Sequence, residues 1–178
     1  GRPSRREFLK TSAGAMGVSM LAAATPVHAA GSDAIRLGLI GCGDRGTGAA
    51  IQALNADPGA KLIAVADVFE EHARRSRDAI KARKGDQVAV DDDHCFAGFD
   101  AYGKVIESDV DAVLIACASR YHPAYTKACI EAGKHVFVEK PHAIDPPGIK
   151  VVLEASELAA QKDLCLISGL HRRYDPSV

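Results

Sequence analysis

The stretch AIRLGLIGCGDRGTGAA, residues 34–50, decides the fold. Ile35 to Ile40 is almost wholly apolar, as a strand buried on both faces must be. Gly41, Gly43 and Gly46 follow, and Thr47 to Ala56 is Ala/Leu-rich and reads as a helix. Three glycines at this spacing also occur in plain turns, so their context has to decide what they are for.

Outward from that stretch, the chain alternates. Asp57-Pro58-Gly59 stops the first helix, and KLIAVAD, Lys61 to Asp67, reads as a second buried strand. Phe69 to Lys84 reads as a charged helix with Phe69, Ala73 and Ile80 inward. Gly85 to Gly98 is polar and irregular, and Phe99 to Ser108 reads as a short helix. DAVLIAC, Asp111 to Cys117, is a third buried strand. Pro123 to Ala132 is a helix with Pro in its first turn and Gly133 just past its end. HVFVEK is a strand. Pro147 to Gln161 is a helix with Ile149, Val152, Leu153, Ser156 and Ala160 on one side, and Leu164 to Leu170 is the last strand. Buried strands alternating with helices predict an α/β fold: a doubly wound parallel sheet with helices on both faces, over residues 31–170.

In that context the glycines have separate uses. Gly41 permits the tight turn, Gly43 lets backbone approach an anion, and Gly46 lets the helix pack closely on the strand. The helix N-terminus, with Asp44 and Arg45, faces the same point. The second strand ends in Asp67, about 20 residues on, where a carboxylate accepts hydrogen bonds from the ribose of a dinucleotide. The reading is therefore a Rossmann nucleotide site. An acid there repels a 2′-phosphate, which favours NAD over NADP. Arg74 and Arg75 read as a solvated face rather than a phosphate clamp.

The bulk numbers exclude other classes. The chain has 178 residues, 47% hydrophobic and 25% charged, with a net charge of -1, which suits one globular domain without the basic footprint of a nucleic-acid binder. Trp is absent and aromatics are 5%, too few for base-stacking platforms. The five cysteines show no C-x-x-C pair, and Cys117, Cys129 and Cys165 lie in apolar segments as small hydrophobes. DDDHC, Asp91 to Cys95, reads as a solvated loop, because consecutive side chains diverge; no metal is expected.

The segment VFVEKPHA places Glu139, Lys140 and Pro141 at the end of a strand, the edge where parallel sheets hold ligands. Together, GCGDRG and DAVLIACASRYHPAYTKACIEAGKHVFVEKP resemble the glucose–fructose oxidoreductase/inositol dehydrogenase/MocA family, from about Ile35 to Pro176. The resemblance implies NAD- or NADP-dependent oxidation or reduction of sugars and polyols. It implies that Lys140 sits by the nicotinamide and hydrogen-bonds the reacting hydroxyl or carbonyl, and that Glu139 contacts the nicotinamide end. It places Ser119 and His122 in the loop beside the cofactor, where this chain has Ala118-Ser119 in place of the family's usual Thr-Pro. It also implies a C-terminal α/β domain beyond this chain, with residues 171–178 opening the linker to it. Arg172 and Arg173 then either reach substrate or belong to that linker. Oligomeric state is not legible.

SRREFLK, Ser4 to Lys10, carries paired Arg5 and Arg6. An uncharged Ala/Gly-rich stretch follows, then PVHAA with Val27 and Ala29 at the small positions of a cleavage site. Residues 1–30 resemble a twin-arginine export signal, too weakly apolar for a stable membrane span, which implies the translocase as a passing partner and a periplasmic or otherwise exported destination. Free NAD is not expected there, so export implies a retained cofactor. Two designs meet that condition: a ping-pong sugar oxidoreductase, and a redox-neutral, NAD-dependent glycoside hydrolase. A non-catalytic dinucleotide-binding module is the third reading.

Overall fold

The computed structural model describes residues 34–170 together with Arg173. The segments read as an export signal and, Arg173 apart, as a linker lie outside the described residues. Six strands form one all-parallel sheet: β1 (Arg36–Ile40), β2 (Lys61–Asp67), β3 (Cys95–Ala97), β4 (Ala112–Ile115), β5 (His135–Val138) and β6 (Leu166–Ser168). Their order across the sheet is β3-β2-β1-β4-β5-β6. The chain runs outward one way from β1 to β3, then returns to the other side of β1 for β4. Between β1 and β4 the direction of winding reverses, and the diverging loops leave a crevice there.

Five helices cover the sheet: α1 (Asp44–Ala56), α2 (Glu70–Lys84), α3 (Ala101–Glu107), α4 (His122–Glu131) and α5 (Pro146–Gln161). Alternate side chains of each strand point to opposite faces, save that the β1–β2 register skips Ile63, which brings Leu62 and Val65 to the same face. Leu37, Leu39, Leu62, Val65 and Leu114 therefore meet Ala50 and Leu54 of α1 and Ala73 and Ile80 of α2. Ile40, Ala66, Val113, Ile115, Val136 and Val138 meet Val105 of α3, Cys129 and Ile130 of α4 and Ala159 of α5. Each fully buried Leu, Ile or Val removes enough apolar surface to favour folding by roughly 1.5–3 kcal/mol. At the opposite edge of the sheet from the crevice, Asp111 accepts from the Arg36 backbone N–H at 2.8 Å, from Nε at 3.0 Å and from Nη2 at 2.7 Å. That fork ties the start of β1 to the start of β4.

Four expectations change. The segment 85–98 is not wholly irregular: Cys95–Ala97 pairs with Val65–Asp67 as an edge strand, and Gln87 Nε2 donates to the Leu54 carbonyl at 3.0 Å, satisfying the end of α1. Phe69 does not face inward; it is the residue before α2 and is 57% exposed, while Ala73 and Ile80 are buried as expected. The side of α5 bearing Ile149, Val152, Leu153, Ser156 and Ala160 is not the packed one: Ala155 and Ala159 are buried, and Leu153 is 60% exposed. Small residues face α4 because the two helices run close together. Cys165 is exposed rather than a core residue, since β6 begins only at Leu166.

Candidate functional site

The turn after β1 has the geometry that its glycines suggest. Gly41 has φ +95°, and a Cβ on it would stand 2.3 Å from the Cys117 nitrogen. A Cβ on Gly46 would stand 1.8 Å from the Gly41 oxygen, so α1 packs against the turn only without one. Gly43 differs, because a Cβ there would meet nothing within 4 Å. Open space lies over its backbone. The amides of Gly41 and Cys42 are already engaged, by the Ala66 carbonyl at 2.8 Å and the Asp67 carboxylate at 2.8 Å. The helical ladder starts with Thr47 N–H on the Gly43 carbonyl, and no side chain caps the turn. The amides of the first turn thus remain available to an anion, at the positive end of the helix dipole.

Asp67 is fixed at the end of β2. One oxygen accepts from Cys42 N–H, the other accepts from Phe69 N–H at 3.1 Å, and His72 Nδ1 lies 3.4 Å away. Its carboxylate lines a cavity of about 210 Å³ whose other walls include Gly41, Phe69, Cys117, Tyr102, Tyr121 and Tyr125. Tyr125 stacks with Tyr102 and Tyr121, at ring separations of 4.1 and 5.6 Å. Burial pushes the Tyr125 hydroxyl and the Cys117 thiol each up to about 12, so neither is ionised at neutral pH and Cys117 is no thiolate nucleophile.

Across the end of β4 a second cavity, of about 570 Å³, is lined by Arg45, Gln52, Ala116, Cys117, His122, Glu139 and Lys140. Cys117 borders both cavities. Arg45 reaches from the first turn of α1 to Glu139, with Nε 2.7 Å from Oε1 and Nη2 on the same oxygen. Glu139 is 5% exposed, and its carboxylate lies so close over Gly169 that a Cβ there would be 2.9 Å away. Lys140 is exposed on the wall of this cavity. His122 stands behind the same wall, 1% exposed, with Nδ1 2.8 Å from the Pro141 oxygen and Nε2 2.9 Å from the Cys117 oxygen.

The structure therefore places Gly41 and Asp67 on one cavity and Arg45, Glu139 and Lys140 on the other at the β1/β4 switch point, with Gly43 and Gly46 in the turn and first helical residues beside them rather than in either lining. Asp44 is exposed in the first turn of α1, and Ser119 sits in the short turn before α4; neither lines either cavity. A dinucleotide fits these residues: an uncapped, side-chain-free turn for the diphosphate, a fixed carboxylate on one side and a lysine on the other.

A family model described as an oxidoreductase family with an NAD-binding Rossmann fold, GFO_IDH_MocA, matches residues 35–169. The chain belongs to this family. Inositol 2-dehydrogenase 4 of Saccharopolyspora erythraea is 38% identical over 143 residues, which is 80% of this chain and 38% of that protein. Inositol 2-dehydrogenase of Acidothermus cellulolyticus is 33% identical over the same shares. Scyllo-inositol dehydrogenase from Lactobacillus casei, solved with bound NAD(H) and scyllo-inositol, superposes with a TM-score of 0.60 at 29% identity, covering 82% of this chain and 38% of that one. A 3-ketoreductase from Actinomadura kijaniata, solved with NADP, has the same TM-score at 27% identity. The chain thus spans about 38% of the length of these curated relatives.

As a GFO/IDH/MocA domain, the chain shows site features that its sequence did not single out. The tyrosines at 121 and 125 are one helical turn apart, the spacing that would have signalled a shared face, yet the stack with Tyr102 depends on α3. The Asp91–Cys95 loop is tied by charge rather than simply solvated. Asp91 accepts from His94, while the hydrogen bond from Arg77, followed by the charge of Arg74, holds the Asp92 carboxyl below the usual carboxylate range. Arg74 is thereby occupied by Asp92 and Glu70 and is not a free phosphate clamp.

Proposed function

We propose that this chain forms the nucleotide-binding half of an exported oxidoreductase that uses NAD to oxidise or reduce a hydroxyl or carbonyl of a sugar or polyol. The observation that carries this reading is the placement of Asp67 and Lys140 on the two sides of one crevice, with the uncapped first turn of α1 between them. When bound, the dinucleotide supplies a hydride acceptor or donor at its nicotinamide. The residues of the chain do the rest. The first-turn amides hold the diphosphate, and Asp67 accepts from the adenosine ribose hydroxyls and repels a 2′-phosphate. The ammonium of Lys140 holds the substrate oxygen and stabilises the negative charge that builds there as its proton leaves. Substrate is a sugar or polyol because the inositol dehydrogenases share this domain. Residues 1–30 carry the twin-arginine pattern behind the proposal of export, and export in turn favours a cofactor that stays bound.

The test has two parts. The purified protein, denatured, should release stoichiometric NAD to the supernatant, identified by mass. With inositols and sugars as substrates, Lys140→Ala should lower turnover by about 10²–10⁴-fold. A protein that never binds NAD, or a Lys140→Ala variant with near-wild-type turnover, overturns the reading.

A further inference from the structure

We propose that His122 is a positioning residue for the Lys140 side of the crevice: its ring, carried by α4 and set between the carbonyls of Pro141 and Cys117, donates from Nδ1 to Pro141 and so holds the turn that carries Lys140 in place. The proposal rests on the dinucleotide reading only for where the effect will be felt.

The geometry begins with the sheet. β4 and β5 are paired as far as Ile115 and Val138, and the last rung between them is Glu139 N–H on the Ile115 carbonyl at 2.9 Å. Beyond that rung the ladder ends, and the two chains separate to form the wall of the larger cavity. Lys140 is the first residue past the rung, on the stretch with nothing from the sheet to hold it. His122 supplies the next tie. It opens α4, so its backbone is anchored in a helix, and its neighbours Pro123 and Tyr125 are buried with it.

The ring itself is nearly inaccessible, at 1% exposure. Both of its nitrogens are at hydrogen-bond distance from backbone oxygens, 2.8 Å to Pro141 and 2.9 Å to Cys117. Carbonyl oxygens only accept. A neutral imidazole has one N–H and serves one of them; it serves both with a proton on each nitrogen. The tie to Pro141 needs the proton on Nδ1, and with a proton on each nitrogen the ring holds both carbonyls. Burial separates His122 from Lys140 and Arg45: all three border the cavity, but only the last two are solvent-exposed. The Nδ1 donor also explains why a histidine suits the position. A phenylalanine places a ring there with no donor, and a buried carbonyl left unpaired is costly.

Lys140 lies on the nicotinamide side of the crevice and Asp67 on the adenosine side, so loss of the tie should be felt at one end only. NADH and ADP-ribose share the adenosine diphosphate and differ in the nicotinamide. The experiment measures the affinity of both for the wild-type protein and for His122→Phe, using NADH fluorescence directly and ADP-ribose in competition. The expected result is ADP-ribose affinity within threefold of wild type and NADH affinity at least tenfold weaker, with bound NADH emission displaced toward that of free NADH. Equal loss for both ligands, or loss for neither, overturns the proposal. A second measurement covers a variant that does not fold. In the wild-type protein, nitrogen-resolved NMR should show a slowly exchanging ring N–H on His122, and a freely exchanging ring overturns the proposal without any variant. If the wild-type protein binds neither ligand, the NAD reading itself falls, and the NMR measurement still decides the tie.

Discussion

Arg45 and Glu139 are 94 positions apart and meet across the crevice, with the guanidinium Nε 2.7 Å from the carboxylate Oε1. One comes from the first turn of α1 and the other from the end of β5, so the pair spans the end of β4. Glu139 is buried and Arg45 is about half exposed. The contribution of the pair is consequently unequal: removal of the cation strands a buried charge.

Arg45→Ala should destabilise the domain by about 1–2 kcal/mol, less than for a fully buried pair because water reaches Arg45. Adding Glu139→Gln should recover part of that loss, since a neutral amide tolerates the site without its partner. Urea unfolding midpoints of the single and double variants measure this coupling. Strict additivity of the two changes would show that the pair contributes nothing.

The three glycines of the turn should respond differently to Ala. Gly41→Ala and Gly46→Ala force a Cβ into backbone at 2.3 and 1.8 Å and should each lower stability by about 2 kcal/mol or more. Gly43→Ala meets nothing and should leave stability within about 0.5 kcal/mol, yet weaken NADH binding, because its methyl enters the space over the turn. Thermal melts paired with NADH titrations separate the two effects.

Asp67→Asn should narrow the preference of the protein for NAD over NADP by about tenfold. The charge that repels a 2′-phosphate is removed, and the amide oxygen keeps one of the two contacts, to Cys42 N–H or Phe69 N–H, while the other is lost. Competition between the two dinucleotides gives the ratio directly. An unchanged ratio would mean that discrimination lies elsewhere.

The Arg36–Asp111 fork predicts a pH dependence. The hydrogen bond from Arg36 holds the Asp111 carboxyl below its ordinary range. A depressed folded value means that the stabilisation is fully present above the unfolded value of about 3.9 and is lost as pH falls through the folded one. Asp111→Asn should therefore cost about 0.5–1 kcal/mol at neutral pH for this partly exposed pair, and the variant should lose stability less steeply than wild type in acid. Unfolding midpoints across that range provide the measurement.

Cysteine labelling tests the burial pattern. Burial pushes the Cys117 and Cys129 thiols up to about 12, and Cys42 further still. A raised value keeps each as the unreactive thiol until pH approaches it. Exposed Cys165 should take up iodoacetamide in the folded protein at about pH 8, and buried Cys42, Cys95 and Cys129 should follow only on unfolding.

The alternation of buried strands and helices was legible because each long strand is apolar throughout, and the glycine turn with Asp67 because short-range spacing encodes it. The sequence alone therefore determined the parallel α/β fold and one half of the crevice. Only the tertiary structure decided the rest. β3 has three residues, too few for any periodicity, and exists because Val65–Asp67 offers an open edge. The apolar side of α5 is turned outward because the close contact with α4 requires Ala155 and Ala159 there, a packing demand that no one-dimensional pattern contains. Glu139, the partner of Arg45, and Pro141, the partner of His122, lie past the end of a different strand, and strand order, not chain distance, brings them within hydrogen-bond reach.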